Sequence, residues 1–162
     1  MKLTFALLGA LMLASQTWAA GSAPEARSPA APLVGTAWQL VAIQSMDDAQ
    51  GTTKVADPSR FTLQFGADGR AVLRLDCNRG NGKWEAKPAL DASATSGSLS
   101  FGPIATTRAR CAPPNLDERL ARDLGYVRSY LLKDGQLYLS LMADGGIYEW
   151  APFQDSHKPV TR

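Results

Sequence analysis

Asp-Gly pairs separate short segments in which apolar and polar residues alternate. Asp68-Gly69 follows the segment FTLQF, and Asp134-Gly135 lies between two leucine-rich segments near the end of the chain. Asp-Gly tolerates the positive φ angles of tight hairpin turns, and a period of two is typical of strands that bury one face. The chain is therefore predicted to be mainly β, with neighbouring strands joined as antiparallel hairpins.

The same alternation predicts further strands over residues 36–43, 97–101 and 146–150. Gly80 and Gly82 are interpreted as a tight connection that leads into a short strand. These segments predict six to eight short strands, with a long polar loop between the first strand and the first hairpin. An antiparallel sheet of this size is expected to curl until it covers its own apolar face.

One segment has the periodicity of a helix instead. Apolar residues recur every three to four positions from Leu116 to Val127, Asn115 stands at the N-cap position, and Glu118 can return the capping hydrogen bond. We expect one α-helix near residues 115–129 that flanks or plugs the opening of the curled sheet.

The first twenty residues have the layout of a secretory signal peptide, with an early lysine, an apolar run and small residues before the expected cleavage site. The apolar run is shorter than the ~20 residues of a membrane-spanning helix. Since no cysteine follows that could carry a lipid, we predict a periplasmic or secreted protein without a membrane span in its mature chain. The predicted divisions are a signal peptide (1–20, cleaved after Ala19 or Ala20), a disordered leader (21–32), one domain (33–153) and a flexible tail (154–162).

Cys77 and Cys111 are the two cysteines of the chain. An even count in an oxidising compartment favours a disulfide. A metal or redox site is the alternative, but the sequence has no C-x-x-C motif and its single histidine, His157, lies in the predicted tail. We therefore predict a structural disulfide and no metal site.

The sequence shows no pattern typical of catalysis or of cofactor binding. A Ser-His or Cys-His pair needs a histidine inside the fold, and the glycines near Arg79 do not have the spacing of a phosphate-binding loop. Carboxylates near strands, among them Asp76 and Glu149, fit solvent-facing acids better than a glycosidase pair. The net charge is only +2, and the acids that lie among the arginines of residues 108–128, Asp117 included, favour a mixed, solvent-exposed surface over a nucleic-acid site. We expect no enzyme activity, no cofactor, no nucleic-acid partner and a monomer.

Three motifs are spread along the predicted domain. The residues that carry them are Gly35, Thr36 and Trp38 in the first, Cys77, Asn78, Gly82 and Trp84 in the second, and Thr107, Arg108 and Cys111 in the third. Together they resemble the META/HslJ domain family. In that family the second motif usually reads G-C-N-x-x-x-G-x-[aromatic] and the third T-R-M-A-C, whereas this sequence has Asp76 for the glycine and Ala109-Arg110 for Met-Ala.

The resemblance implies a small, lipocalin-like β-barrel or strongly curved sheet with one helix, found in envelope proteins. Members are associated with the heat-shock response, with novobiocin tolerance and, in a protozoan branch, with motility and virulence. The family has no established enzymatic activity or cofactor, and the resemblance assigns no role to the motif residues.

Three functional hypotheses follow. The first is a non-catalytic periplasmic accessory protein that supports envelope stress tolerance by binding another envelope component. The second is a secreted inhibitor of a lysozyme or protease, which would present an exposed loop at residues 76–83 or 108–115. The third is a carrier of a small hydrophobic ligand, which needs a hollow interior of at least ~300 Å³. An interior filled by Trp38, Phe61, Leu73 and Leu139 would exclude this third hypothesis.

Overall fold

The structure, a computed structural model, describes residues 32–47, 49–90, 95–113 and 116–153. The predicted signal peptide, most of the predicted leader and the predicted tail lie outside the described residues. Within these ranges no helix is long and apolar enough to cross a membrane. The elements are β1 (Ala37–Gln44), β2 (Thr52–Lys54), β3 (Phe61–Phe65), β4 (Arg70–Leu75), β5 (Asn78–Pro88), β6 (Ser96–Phe101), β7 (Ala105–Thr106), α1 (Asp117–Asp123), β8 (Val127–Lys133), β9 (Gln136–Leu141) and β10 (Ile147–Pro152), with short 3₁₀ turns at Pro58–Arg60 and Leu124–Tyr126.

Eight of the strands close into an antiparallel β-barrel. Neighbours pair in the order β10, β9, β8, β6, β5, β4, β3 and β1, and β1 pairs with β10 to complete the circle. The short strands β2 and β7 are not part of this closed circle. β2 pairs with β1, and β7 pairs with β5. The prediction of a mainly β, curled antiparallel sheet with one helix is confirmed.

Two of the hairpins use the predicted Asp-Gly turns. Asp134 and Gly135 join β8 to β9 with φ angles of +53° and +75°, as a type I′ turn requires. Gly69 has a φ of +74° at the end of the turn between β3 and β4. Because a side chain is strained in this region of φ, glycine at these positions fixes where each hairpin reverses.

The interpretation of Gly80 and Gly82 as a tight connection is wrong. Both are buried residues inside β5, a strand of 11 residues. A Cβ atom added to Gly82 would lie 3.1 Å from the carbonyl oxygen of Pro103 and 3.2 Å from Cγ1 of Ile104. The glycines therefore allow the segment that follows β6 to cross close to β5. Glycine inside a strand often marks such a close approach of another backbone segment.

Side chains fill the interior of the barrel. Trp38, Phe61, Leu73 and Leu139 are all buried and belong to one contiguous apolar cluster. This is the filled arrangement that excludes carriage of a ligand in the barrel interior, and the third hypothesis therefore loses its structural basis.

The helix is present but shorter than predicted. α1 and the 3₁₀ turn after it end at Tyr126, and Val127 begins β8. Leu120 and Leu124 have no exposed surface and join the barrel core, so the apolar stripe covers the protein's own sheet. The structure places Leu116 at the N-cap position, and the predicted cap Asn115 lies outside the described residues.

Tyr148 links the last strand to the end of α1. Its hydroxyl donates a 2.5 Å hydrogen bond to Oδ2 of Asp123. The same oxygen accepts from Nε of Arg119, and Oδ1 of Asp123 accepts from Nε of Arg122. Burial raises the pKa of Tyr148 well above its ordinary value of 10.0, and the hydrogen bond to Asp123 and its negative charge act in the same direction.

Tyr148→Phe is expected to lower the free energy of unfolding by about 1–2 kcal/mol at pH 7, because one buried hydrogen bond to a carboxylate is lost. The raised pKa adds a pH dependence. The stability that this phenol contributes is complete below its unfolded pKa near 10.0 and is lost as the pH rises above that value. Urea unfolding should therefore show a steeper loss of stability above pH 10.0 in the wild type than in the variant. Parallel pH profiles would contradict the assignment.

Candidate functional site

A disulfide joins the turn between β4 and β5 to the segment before α1. The two sulfur atoms of Cys77 and Cys111 are 2.06 Å apart, and the Cα atoms are 5.6 Å apart. Cys77 is exposed, whereas Cys111 is buried. The bridge fixes the irregular segment that precedes Cys111 against the rim of the barrel.

Asp76 precedes the bridge in the two-residue turn that β4 and β5 share. Its φ angle is +61°, which is the left-handed region that glycine adopts most readily. This backbone conformation accounts for the glycine that the related motif carries at this position. Asp76 is almost fully buried and forms an ion pair with the guanidinium of Arg60, so it is not the solvent-facing acid that the sequence predicted.

Asn78 connects three segments of the chain beside the disulfide. Its Oδ1 accepts hydrogen bonds from the Thr107 hydroxyl and from the backbone N–H of Ala109, each at 2.8 Å. Its Nδ2 donates to the carbonyl oxygen of Ala109 and to Oδ2 of Asp117, each at 2.9 Å. Asn78 is buried, with 3 % of its surface exposed. One side chain therefore holds β5, the segment before Cys111 and the start of α1 together.

The first motif is a structural turn in front of β1. The Thr36 hydroxyl donates to the carbonyl oxygen of Leu33 at 2.6 Å and accepts from Nε1 of Trp38 at 2.7 Å. Gly35, with a φ of +75°, donates its backbone N–H to the carbonyl oxygen of Phe65. These hydrogen bonds lie within the motif and to β3, and the motif is not part of the disulfide region.

Trp84 belongs to the barrel wall as well. Its indole Nε1 donates to the carbonyl oxygen of Gly66 at 3.3 Å, and its ring meets Phe65 edge-on with centroids 4.9 Å apart. Gly82 and Trp84 form the second half of the second motif. Their close contacts give this half of the motif a packing role. The residues that the structure brings together at one place are Cys77, Asn78, Thr107, Arg108 and Cys111.

A cleft of about 480 Å³ opens beside this cluster. Its residues are Leu75 and Asn78 from the barrel rim, Thr106 to Arg110 from the segment before Cys111, and Asp117, Glu118 and Ala121 from α1. We call it the rim cleft. One wall carries the cations Arg108 and Arg110, and the other carries the anions Asp117 and Glu118.

Asp117 has the most unusual environment in the rim cleft. Only 8 % of its surface is exposed, and the sequence had placed it among solvent-exposed charges. Oδ2 accepts from Asn78, whereas the buried Oδ1 has no hydrogen-bond partner among the described residues. Sequence reasoning missed this residue, since no local signal shows that Asn78, 39 positions earlier, would bury it.

A second cleft, of about 310 Å³, lies where the 3₁₀ turn after α1 meets the turn after β9. Tyr126 and Met142 give it apolar surface, and its carboxylate, Asp123, already accepts hydrogen bonds from Tyr148 and two arginines. The rim cleft, which has charges on both walls, is therefore the better candidate for recognition of a ligand.

The rim cleft offers charge and hydrogen bonds but not the groups that a metal centre needs. Among the described residues, no three histidine, cysteine or carboxylate side chains cluster as metal ligands would. The loop that the inhibitor hypothesis requires at residues 76–83 is also absent, because all but its first two residues lie in β5. Of the second loop that this hypothesis names, at residues 108–115, the structure describes residues 108–113, and these form an irregular segment.

The fold and the site define a class: a closed, eight-stranded antiparallel β-barrel with a filled interior, one helix and a disulfide beside a polar cleft. The model of the META domain family matches residues 31–150, and the chain belongs to this family. A crystal structure of a DUF4847 family protein from Bacteroides vulgatus is similar in fold, with a TM-score of 0.50 and 15% sequence identity over 74% of this chain and 94% of that one. No curated protein sequence matches the chain.

Proposed function

We propose that this protein is a non-catalytic accessory protein of the bacterial envelope that supports stress tolerance by binding another envelope component in the rim cleft. The observation that carries the proposal is the cleft itself: its two oppositely charged walls are fixed to one barrel by the Cys77–Cys111 disulfide and by Asn78. A rigid polar cleft binds a partner without the cost of ordering its own walls.

The predicted location supports this role. A disulfide is stable in oxidising compartments such as the periplasm, and the layout of residues 1–20 is that of an export signal. Envelope proteins of the META/HslJ domain family are associated with heat shock and with novobiocin tolerance. Binding, rather than turnover, fits a site in which the described residues provide arginines, carboxylates and amides but no nucleophile paired with a base.

The proposal is tested by deleting the gene in its host and challenging the cells with heat and with novobiocin. Survival is expected to fall and to be restored by the full chain. A chain that lacks residues 1–20 serves as the matched control, and it is expected not to restore survival because it would remain in the cytoplasm. Unchanged survival of the deletion strain under both challenges would sink the proposal, and rescue by the control chain would rule out the envelope as the place of action.

A further inference from the structure

We propose that the rim cleft binds a small zwitterionic ligand, which carries one carboxylate and one ammonium group and has the size of an amino acid or a short peptide. This inference rests on the proposed function, since it takes the rim cleft to be the binding surface. It adds the chemical class of the ligand and the wall that recognises each end.

The cationic wall is suited to a carboxylate. Arg108 and Arg110 are exposed, and neither takes part in an ion pair among the described residues. An arginine guanidinium presents parallel N–H donors that match the two oxygens of a carboxylate. Since Thr107 and Cys111 on either side are held by Asn78 and by the disulfide, the backbone that carries both arginines has a fixed position.

The acidic wall is suited to an ammonium group. Glu118 is exposed at the rim, and Asp117 lies deeper with its Oδ1 unpartnered among the described residues. A buried carboxylate oxygen without a donor is unfavourable, and an N–H donor from a ligand would relieve that cost. The anionic wall thus has one accessible carboxylate and one buried acceptor still to be satisfied.

The two walls do not neutralise each other. Among the described residues, the ion pairs join Arg60 to Asp76 and two arginines to Asp123, and none of them crosses the rim cleft. Separated opposite charges favour a ligand whose own charges are separated in the same way. A purely anionic or purely cationic ligand would satisfy one wall and meet repulsion from the other.

The dimensions fix the size of the ligand. A volume of about 480 Å³ lies within the range of small-molecule sites and is far below what a folded domain would need. Leu75 and Ala121 supply apolar lining between the charged walls, which leaves room for a small side chain. An amino acid or a peptide of two or three small residues satisfies the charge pattern and the volume together.

The test is calorimetric titration of the purified chain with the tripeptide Ala-Ala-Ala. Two modified peptides serve as ligand controls: N-acetylation removes the ammonium group and C-terminal amidation removes the carboxylate. Each modification is expected to weaken binding about ten- to a hundredfold, which is the value of one charge-assisted contact. Arg108→Gln/Arg110→Gln should reproduce the effect of amidation, and Glu118→Gln should reproduce the effect of acetylation.

Arg70→Gln is the matched control variant. Arg70 is exposed and lies at the far end of β4, five residues before Leu75, so its replacement removes a charge at a distance from the cleft. The affinity of the Arg70→Gln variant for the tripeptide should equal that of the wild type. The proposal is overturned if the tripeptide does not bind below about 10 mM, if both modified peptides bind as well as the parent, or if the cleft variants behave like Arg70→Gln. These outcomes leave the deletion phenotype unaffected, so they are distinguishable from failure of the proposed function.

Discussion

Cys77→Ala/Cys111→Ala is expected to lower the free energy of unfolding by about 3–4 kcal/mol. The two cysteines are 34 residues apart, and a cross-link over that distance removes a large part of the conformational freedom of the unfolded chain. The bridge also ties the irregular segment before α1 to the barrel. Urea unfolding followed by tryptophan fluorescence measures the effect.

Reduction provides the control for this prediction. A thiol reductant should lower the stability of the wild type toward that of the double variant and should leave the double variant unchanged. A difference below about 1 kcal/mol between oxidised wild type and double variant would show that the loop is already constrained in the unfolded ensemble and would contradict the prediction.

Asn78→Ala is expected to cost about 3–5 kcal/mol of folding stability, a sum of hydrogen bonds each worth about 1 kcal/mol and more where the acceptor is a carboxylate. Four hydrogen bonds to three residues are lost at once: Thr107, Ala109 and Asp117. Asp117 would then remain buried without the donor that its Oδ2 now has. The same loss should also loosen the rim cleft.

Asn81→Ala is the matched control on the same strand. Asn81 is exposed and accepts a single hydrogen bond from Arg70, so its replacement should change stability by no more than about 0.5 kcal/mol. Asn78→Asp keeps the size of the side chain but places a second carboxylate against Asp117, and we expect it to destabilise the protein at neutral pH. Equal stabilities of Asn78→Ala and Asn81→Ala would refute the assignment of Asn78 as the connecting residue.

The parts of the fold that depend on neighbours in sequence were predictable. Asp134-Gly135 and Asp68-Gly69 are themselves the residues that favour the turns of their hairpins. The alternation of apolar and polar residues on either side of them indicates which face is buried. The helix was predictable for the same reason, since its leucine stripe lies within one segment. Its end was not, because Val127 continues the apolar spacing while pairing as the first residue of β8.

The errors occurred where distant residues decide the outcome. A glycine is equally typical of a turn and of close approach by another segment, and only the position of Ile104 shows that Gly82 is the second case. Asp76 and Asp117 resemble surface acids in sequence because their partners, Arg60 and Asn78, lie 16 and 39 positions away. The motif residues of the rim cleft and the cysteines beside it were identified from sequence, whereas the acidic wall of the cleft was not.

The pairing of β1 with β10 places the beginning and the end of the barrel side by side. Until β10 has been synthesised and has paired, β1 and β9 each lack one neighbour and present open hydrogen-bonding edges. Closure of the barrel therefore has to wait for β10, and this long-range pairing favours slow folding and exposes the open edges to aggregation in the meantime. A chain that ends before β10 would keep those edges exposed. Chaperones and proteases would therefore act on it in preference to the closed barrel.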